Sequence, residues 1–307
     1  MGEDMAGVSG MQLTENSLLG LFAINRYRFL TIAQFAQIAG VHYNYAARLL
    51  KGMETRGIVG FFGNISVPKQ GSTPKAYFVK RKGWELLRND SGLPEELVGP
   101  FVEVHKETTW TQIMEHRLRL LDLFIALEVA IRQRPHIHLV KTFLEYRRIK
   151  RGGRLASETT DYVDVSEVPE NRIMPDGAFV LENVETNKRA LFFVEMDMAT
   201  ERIVTRISHD RRLTLRFRME QYDRYLTGGR FARTYAAHGA FRYFTLLFVT
   251  VGEERLKHVR AALADLPEEL HDYYRFATFE AAQADLLGPV WLSRAPGDAQ
   301  RHRLTRQ

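Results

Sequence analysis

Residues 173–197 read Ile-Met-Pro-Asp-Gly-Ala-Phe-Val-Leu-Glu-Asn-Val-Glu-Thr-Asn-Lys-Arg-Ala-Leu-Phe-Phe-Val-Glu-Met-Asp, from Ile173 to Asp197, two apolar runs separated by a polar stretch. Runs rich in β-branched and aromatic residues, bounded by turn-forming ones, read as paired strands. With Glu182 to Lys188 turning the chain near Glu185-Thr186, the strand Asp176 to Leu181 pairs back and Asp176 falls about opposite Glu195. A turn displaced by two residues keeps the same faces and slides Asp176 toward the far end of the pair. Side chains alternate along a strand, so Leu191, Phe193, Glu195 and Asp197 share one side and Phe192, Val194 and Met196 the other. Asp176, Glu195 and Asp197 thus gather at one end of a hairpin. Clustered carboxylates repel, and Mg²⁺ or Mn²⁺ held through hard oxygen ligands offsets the repulsion, which makes these three the candidate catalytic and metal-ligating residues. The plainer alternative is a strand end with solvated acids.

Around this hairpin the pattern predicts a helix from about Trp110 to Gln133, with His116, Leu120, Leu123 and Leu127 on one stripe. His116 reads there as a core histidine with satisfied hydrogen bonds. A strand His138 to Glu145 and a polar Arg- and Gly-rich loop through Ser157-Glu158-Thr159-Thr160 precede the hairpin. A long helix from about Thr200 to Tyr225, a strand Arg242 to Val251 and a helix Glu254 to Ala264 follow it. That order predicts a mixed sheet with helices on its faces. Arg202, Arg206, Arg211, Arg212, Arg216, Arg218 and Arg224 lie on or near the long helix, against Glu201, Asp210, Glu220 and Asp223. Contacts to phosphate and ion pairs within the protein are equally open to them.

The N-terminal portion has a different pattern. Ser17 to Arg26 forms a helix, Thr31 caps a second ending at Ala39-Gly40, and Tyr43 to Arg56 forms a third after the turn Gly40-Val41-His42. Two strands, Ile58 to Phe62 and Lys75 to Lys80, flank a loop with Pro68, Gly71 and Pro74. The unit resembles a winged helix-turn-helix. On the third helix Ala46, Leu49, Leu50 and Met53 gather on one side, and Asn44, Arg48, Lys51 and Thr55 on the other. Arg reads guanine edges, Asn reads adenine, and Lys and Thr hold phosphates, so this outer face suits a DNA groove, with Lys69 and Lys75 added from the wing. Residues 15–90 hold eleven Lys and Arg against four acids. His42 and Trp84 read as structural.

At 307 residues the chain has room for two or three modest domains. Its 43 Lys+Arg against 37 Asp+Glu give a formal +6, so the positive charge belongs to the N-terminal unit and not to the chain at large. The lack of cysteine excludes disulfides, thiolate zinc sites and cysteine nucleophiles. No apolar run approaches the roughly 20 residues of a membrane helix, and the N-terminus has no charged-then-apolar leader. A cytoplasmic protein is expected. The reading divides the chain into a disordered N-terminus (1–11), a winged-helix DNA-binding domain (12–92), a larger α/β domain (101–293) and a disordered basic tail (294–307).

Pro175-Asp176 followed by Glu195-Met196-Asp197 resembles the nuclease superfamily whose motif is Pro-Asp, a spacer, then Asp/Glu-x-Lys. That resemblance implies a restriction-endonuclease-like fold, with acids that bind Mg²⁺ and a lysine that helps activate water. The lysine position here is Asp197, which removes the cation assisting the nucleophile; Lys188 or Arg202 could substitute. A closer resemblance covers nearly the whole chain. The winged helix, the helix with His116, Pro175-Asp176-Gly177, Phe193-Val194-Glu195-Met196-Asp197 running into Ala199-Thr200-Glu201, and the late strand Thr245 to Thr250 together look like the replication-relaxation family of plasmids and mobile elements. This resemblance implies a role in plasmid replication, DNA relaxation or mobilisation, and a family pattern of Glu-x-Asp. The matching positions are Asp176, Glu195, Asp197 and Thr200, with His116.

Three functions follow. The first is a non-enzymatic protein binding double-stranded DNA, with a relaxase or replication initiator as partner and a homodimer open. The second is a Mg²⁺- or Mn²⁺-dependent nickase or nuclease using Asp176, Glu195 and Asp197. The third is a transcriptional regulator. The first is preferred, because residues outside the hairpin support DNA contact independently, whereas nothing supports hydrolysis in that way.

Overall fold

The computed structural model describes residues 13–63, 66–67, 71–104, 112–151, 153–205, 212 and 214–305. The stretch 1–11 and Lys69, as well as Arg206 and Arg211, lie outside the described residues. Two compact units divide the chain, Met1–Leu121 and Asp122–Gln307.

The first unit runs α1 (Glu15–Tyr27), β1 (Leu30–Thr31), α2 (Ile32–Ala39), α3 (Tyr43–Thr55), β2 (Val59–Phe62), β3 (Ser66–Val67), β4 (Gly71–Ser72), β5 (Ala76–Val79), α4 (Arg81–Asp90) and α5 (Glu95–Val98). Local chemistry sets its helix ends. Thr31 and Gln34 form a reciprocal capping box at the start of α2, and Gly40, at φ +64°, lets its amide turn back onto the last carbonyls. His42 caps α3 by accepting the Asn44 amide on Nδ1 at 3.2 Å. β1, between α1 and α2, pairs with β5, and β5 with β2, in an antiparallel sheet in the order β1-β5-β2. Leu21, Ile24, Tyr27, Phe35, Leu50, Met53 and Ile58 are buried at its centre. Gly20 is needed there, because a Cβ would sit 2.0 Å from the Phe35 ring.

The helix α6 (Gln112–Arg132) passes from the first unit into the second. The second unit continues with β6 (Ile137–Leu144), β7 (Arg148–Arg151), β8 (Arg154–Ser157), β9 (Asp161–Tyr162), β10 (Arg172–Ile173), β11 (Gly177–Asn183), β12 (Lys188–Asp197), α7 (Leu215–Gly228), α8 (Phe231–Thr234), β13 (Phe244–Thr250), α9 (Glu253–Ala262), β14 (Tyr274–Thr278) and α10 (Phe279–Ala284). Its core is a mixed five-stranded sheet in the order β14-β13-β12-β11-β6. The β6, β11 and β12 strands pair antiparallel, and β12, β13 and β14 pair parallel. On one face Phe193 packs among Tyr222, Tyr225 and Phe244; on the other Phe179 stacks on Phe192 and meets the edge of Phe124. Buried on both faces, the central strands can be apolar throughout.

Three expectations are corrected. Of the helix expected from about Thr200 to Tyr225, residues 200–205 are not helical, 206–211 and 213 lie outside the described residues, and α7 starts at Leu215. The amides of Leu215 and Arg216 are taken by the carbonyls of Arg202 and Ile203, so the 202–203 stretch runs back beside the helix start instead of extending it. The polar loop before the hairpin contains the β7–β8 pair and buries Ser157, Glu158 and Thr159, with Glu158 accepting from the Leu144 amide and from Arg147. The basic tail is packed, not disordered. Arg294 is 0 % exposed and paired with Asp223, His302 bridges to Trp291, and Arg260 donates to the carbonyls of Ser293, Ala295 and Asp298. An Arg-rich sequence folds here because its arginine finds a buried carboxylate and its carbonyls find a guanidinium.

Candidate nucleic-acid interface and carboxylate cluster

On α3, Ala46, Leu50 and Met53 are buried, Leu49 is half-buried, and Asn44, Arg48, Lys51 and Thr55 are exposed. The helical period thus separates a packed side from a polar one. Local contacts on the outer side are weak. Lys51 meets Glu54 at 3.3 Å, Arg48 lies 5.4 Å from the Tyr45 ring centroid, and Thr55 donates to the Lys51 carbonyl. An exposed i,i+3 pair is worth little and yields readily to a better anion. Lys75 precedes β5 and sits 4.0 Å over the Phe61 ring, so its ammonium is held near the hairpin by a cation–π contact. His116 is half-buried on α6, and Thr200 is exposed in the bend after β12.

At the end of the β11–β12 hairpin, the pairs Asn183↔Lys188 and Gly177↔Val194 carry the register on to set Asp176 against Glu195. Asp176 Oδ2 accepts the Met196 amide at 2.8 Å, which ties the two strand ends together. Gly177 lets the strand approach α6, since a Cβ there would lie 2.7 Å from the Phe124 ring. Glu195 is 2 % exposed; its Oε1 accepts the Tyr222 hydroxyl and its Oε2 accepts Arg218 Nη1 at 2.9 Å. Arg218 also donates through Nη2 to Glu201. Asp197 is buried and receives Thr250 Oγ1 at 2.8 Å and Arg255 Nε at 2.9 Å on Oδ2, with the Ala199 amide and Arg255 Nη2 on Oδ1. Arg255 Nη2 reaches the Glu201 carbonyl at 2.7 Å. Ala199 holds φ +58°, a left-handed conformation that costs a non-glycine residue roughly 1–3 kcal/mol. The Asp197 side chain closes that turn.

Burial pushes the Glu195 carboxyl up to about 7; Arg218 opposes the rise and the nearby Asp176 adds to it. The same cluster holds the Arg218 guanidinium still more firmly protonated, chiefly through Glu195. Burial, then the Glu195 charge, raises the Tyr222 hydroxyl well above its usual range. It serves as a donor, not as a base.

These donors do not leave the carboxylates in a form that fits a divalent cation. Mg²⁺ asks for near-octahedral oxygen ligands at about 2.0–2.1 Å, yet both oxygens of Glu195 and of Asp197 already accept hydrogen bonds. Among the described residues no three acidic or histidine side chains converge on a metal-holding position. The pattern showed which residues come together; it did not show that guanidinium groups come with them. Arg255, Thr250 and Tyr222 escaped it altogether, although Arg218 and Tyr222, four apart on one helix, share a face.

The helix α7 repeats this device. Tyr225 and Thr234 hydroxyls and Arg230 all donate to Asp161, which is 3 % exposed, and Asp223 accepts the Tyr274 hydroxyl and Arg294. Arg216 pairs with Glu220 and Asp265, Arg224 with Asp164, and Arg212 with Glu170. Arg212, Arg216, Arg218 and Arg224 thus each pair with an acid of the protein, while Arg206 and Arg211 lie outside the described residues.

A family model described as replication-relaxation matches residues 21–240. The chain belongs to the replication-relaxation family. Membership supports a role in plasmid replication or relaxation. The matched stretch runs from α1 past α8, and so takes in the outer face of α3, the hairpin acids, Arg218 and Tyr222; Thr250, Arg255 and Arg294 lie beyond it. No curated protein and no solved structure matches the chain. Among the described residues no helix is long and apolar enough to cross a membrane.

Proposed function

We propose that this replication-relaxation protein binds duplex DNA of a plasmid or mobile element through the outer face of α3, acting in replication, relaxation or mobilisation without cutting the DNA. The first unit serves as a winged helix-turn-helix and the second as a nuclease-like scaffold. The observation that carries the reading is the exposure of Asn44, Arg48, Lys51 and Thr55 on one side of a helix whose other side is buried, in a segment with eleven Lys and Arg against four acids. In this reading Arg48 and Asn44 meet base edges, and Lys51, Thr55 and Lys75 meet phosphates. A relaxase or replication initiator is the protein partner that such a role needs. The scaffold reading is supported by the guanidinium and hydroxyl partners of Glu195 and Asp197, which engage both oxygens of each of these two carboxylates.

The test is incubation of the purified chain with supercoiled plasmid carrying its native flanking region, with and without Mn²⁺. A parallel titration measures duplex binding at several salt concentrations. The expected result is a salt-sensitive complex without nicking, weakened in the Arg48→Ala/Lys51→Ala variant. Mn²⁺-dependent nicking that disappears in Glu195→Ala would make the second unit an active nuclease and overturn the reading.

A further inference from the structure

We infer that Arg218, braced by Arg255, is the resident counter-ion of the hairpin carboxylates, a side-chain cation standing where a nuclease of related design would need its metal. The inference rests on the non-cutting reading of the second unit and not on DNA binding by α3.

The sheet itself creates the need for a cation. Strand pairing fixes Asp176 opposite Glu195, parity fixes Asp197 on the same face as Glu195, and the bend after β12 brings in Glu201. Glu195 and Asp197 are buried and Asp176 is half-buried beside them, and buried carboxylates demand positive charge, whatever its source. The Arg218 fork supplies it by donating Nη1 to Glu195 and Nη2 to Glu201, so that one planar group spans the strand end and the bend. Arg255 does the same one step along the strand, joining both oxygens of Asp197 to the Glu201 carbonyl. Tyr222 and Thr250 complete the two acids with hydroxyl donors. A metal entering this site would have to displace a guanidinium that already satisfies two carboxylates, and it would leave that guanidinium half-buried without a partner. The exchange is unfavourable. Removing the guanidinium leaves Glu195 buried without its cation, an imbalance that neutralising Glu195 would relieve.

The prediction is therefore a loss on truncation that neutralising Glu195 repairs. Full-length wild type, Arg218→Ala, Arg218→Lys and Arg218→Ala/Glu195→Gln are titrated with MnCl₂ by electron paramagnetic resonance, and their melting temperatures are compared in Mn²⁺ and in EDTA. Wild type and Arg218→Lys are expected to show no specific Mn²⁺ uptake and no Mn²⁺-dependent shift in melting. Arg218→Ala is expected to melt several degrees below wild type in Mn²⁺ and in EDTA alike, and Arg218→Ala/Glu195→Gln to recover at least about half of that loss. An Arg218→Ala protein that melts with wild type, or a double variant no more stable than the single one, overturns the inference. If that variant does not fold, the wild type decides: stoichiometric Mn²⁺ binding abolished by Glu195→Gln overturns the inference, and its absence upholds it. Duplex binding by the same samples is read separately, so failure of this inference and failure of the DNA-binding reading remain distinct.

Discussion

The two units of this protein use the same residue types in opposite directions. In the first, Arg48 and Lys51 stand exposed on α3 with little to hold them beyond a neighbouring ring and one surface acid. In the second, Arg218, Arg230, Arg255 and Arg294 turn toward carboxylates on buried strands and helices. An outward cation keeps its hydration until a stronger anion arrives, so it contributes to binding and little to stability. An inward cation has exchanged water for its partner, completely at Arg294 and partly at Arg218, so deleting it damages the fold. A basic residue's function thus depends on what is already paired with it.

The comparison can be broken most forcefully at Arg294. Arg294→Ala strands Asp223 as a buried charge, and chemical denaturation should show a loss of about 3–5 kcal/mol, with duplex affinity unchanged in protein that remains folded. Truncation after Ser293 should cost a similar amount; a neutral outcome would mean that the inward pairs are not structural.

The next largest effect is on the pH dependence of stability. The folded-state pKa of Glu195 is raised from 4.5 to about 7, so between these values the folded protein keeps a proton that the unfolded chain releases. Its contribution is fully present below the unfolded value and is lost as pH rises through the folded one. Relative to Glu195→Gln, wild type should therefore lose stability on the order of 3 kcal/mol from acid to neutral pH, and parallel profiles for the two proteins would rule out this titration.

On the outward side, Arg48→Ala/Lys51→Ala should weaken specific duplex binding about 10- to 100-fold and make the salt dependence shallower by about one released ion, with the unfolding midpoint nearly unmoved. An equal loss of stability would erase the distinction between the two units. The smallest effect is expected at the entrance to α2, where Thr31→Ala removes the capping box and should cost about 1 kcal/mol by thermal or denaturant melting.

The features legible in the chain are those written within a few residues of one another. Two-residue alternation in Leu191 to Asp197 specified the faces of β12, and the polar stretch Glu182 to Lys188 placed the turn near Glu185-Thr186 with a shift of two residues left open; the pairing Asn183↔Lys188 then fixed the register. Thr31, Gly40 and His42 marked the ends of α2 and α3, and the 3.6-residue period separated Leu50 from Lys51. These are consequences of backbone geometry and local hydrogen bonding, which every short segment carries with it. The start of the helix after Thr200 was misplaced because a charged, Arg-rich stretch says nothing about the Arg202 carbonyl accepting the Leu215 amide.

Only the tertiary structure decided what the acids do. Glu195 meets Arg218 at a separation of 23 residues, Asp197 meets Arg255 at 58, and Asp223 meets Arg294 at 71. No spacing rule joins such residues. Their encounter depends on how α7, α9 and the C-terminal stretch pack on the sheet, and burial then strengthens each pairing by removing the water that would compete for it. Residue order alone gathers carboxylates at the end of this hairpin and sets cations on the outer face of α3. Packing determined that the first group would be neutralised from within, while the second was left exposed.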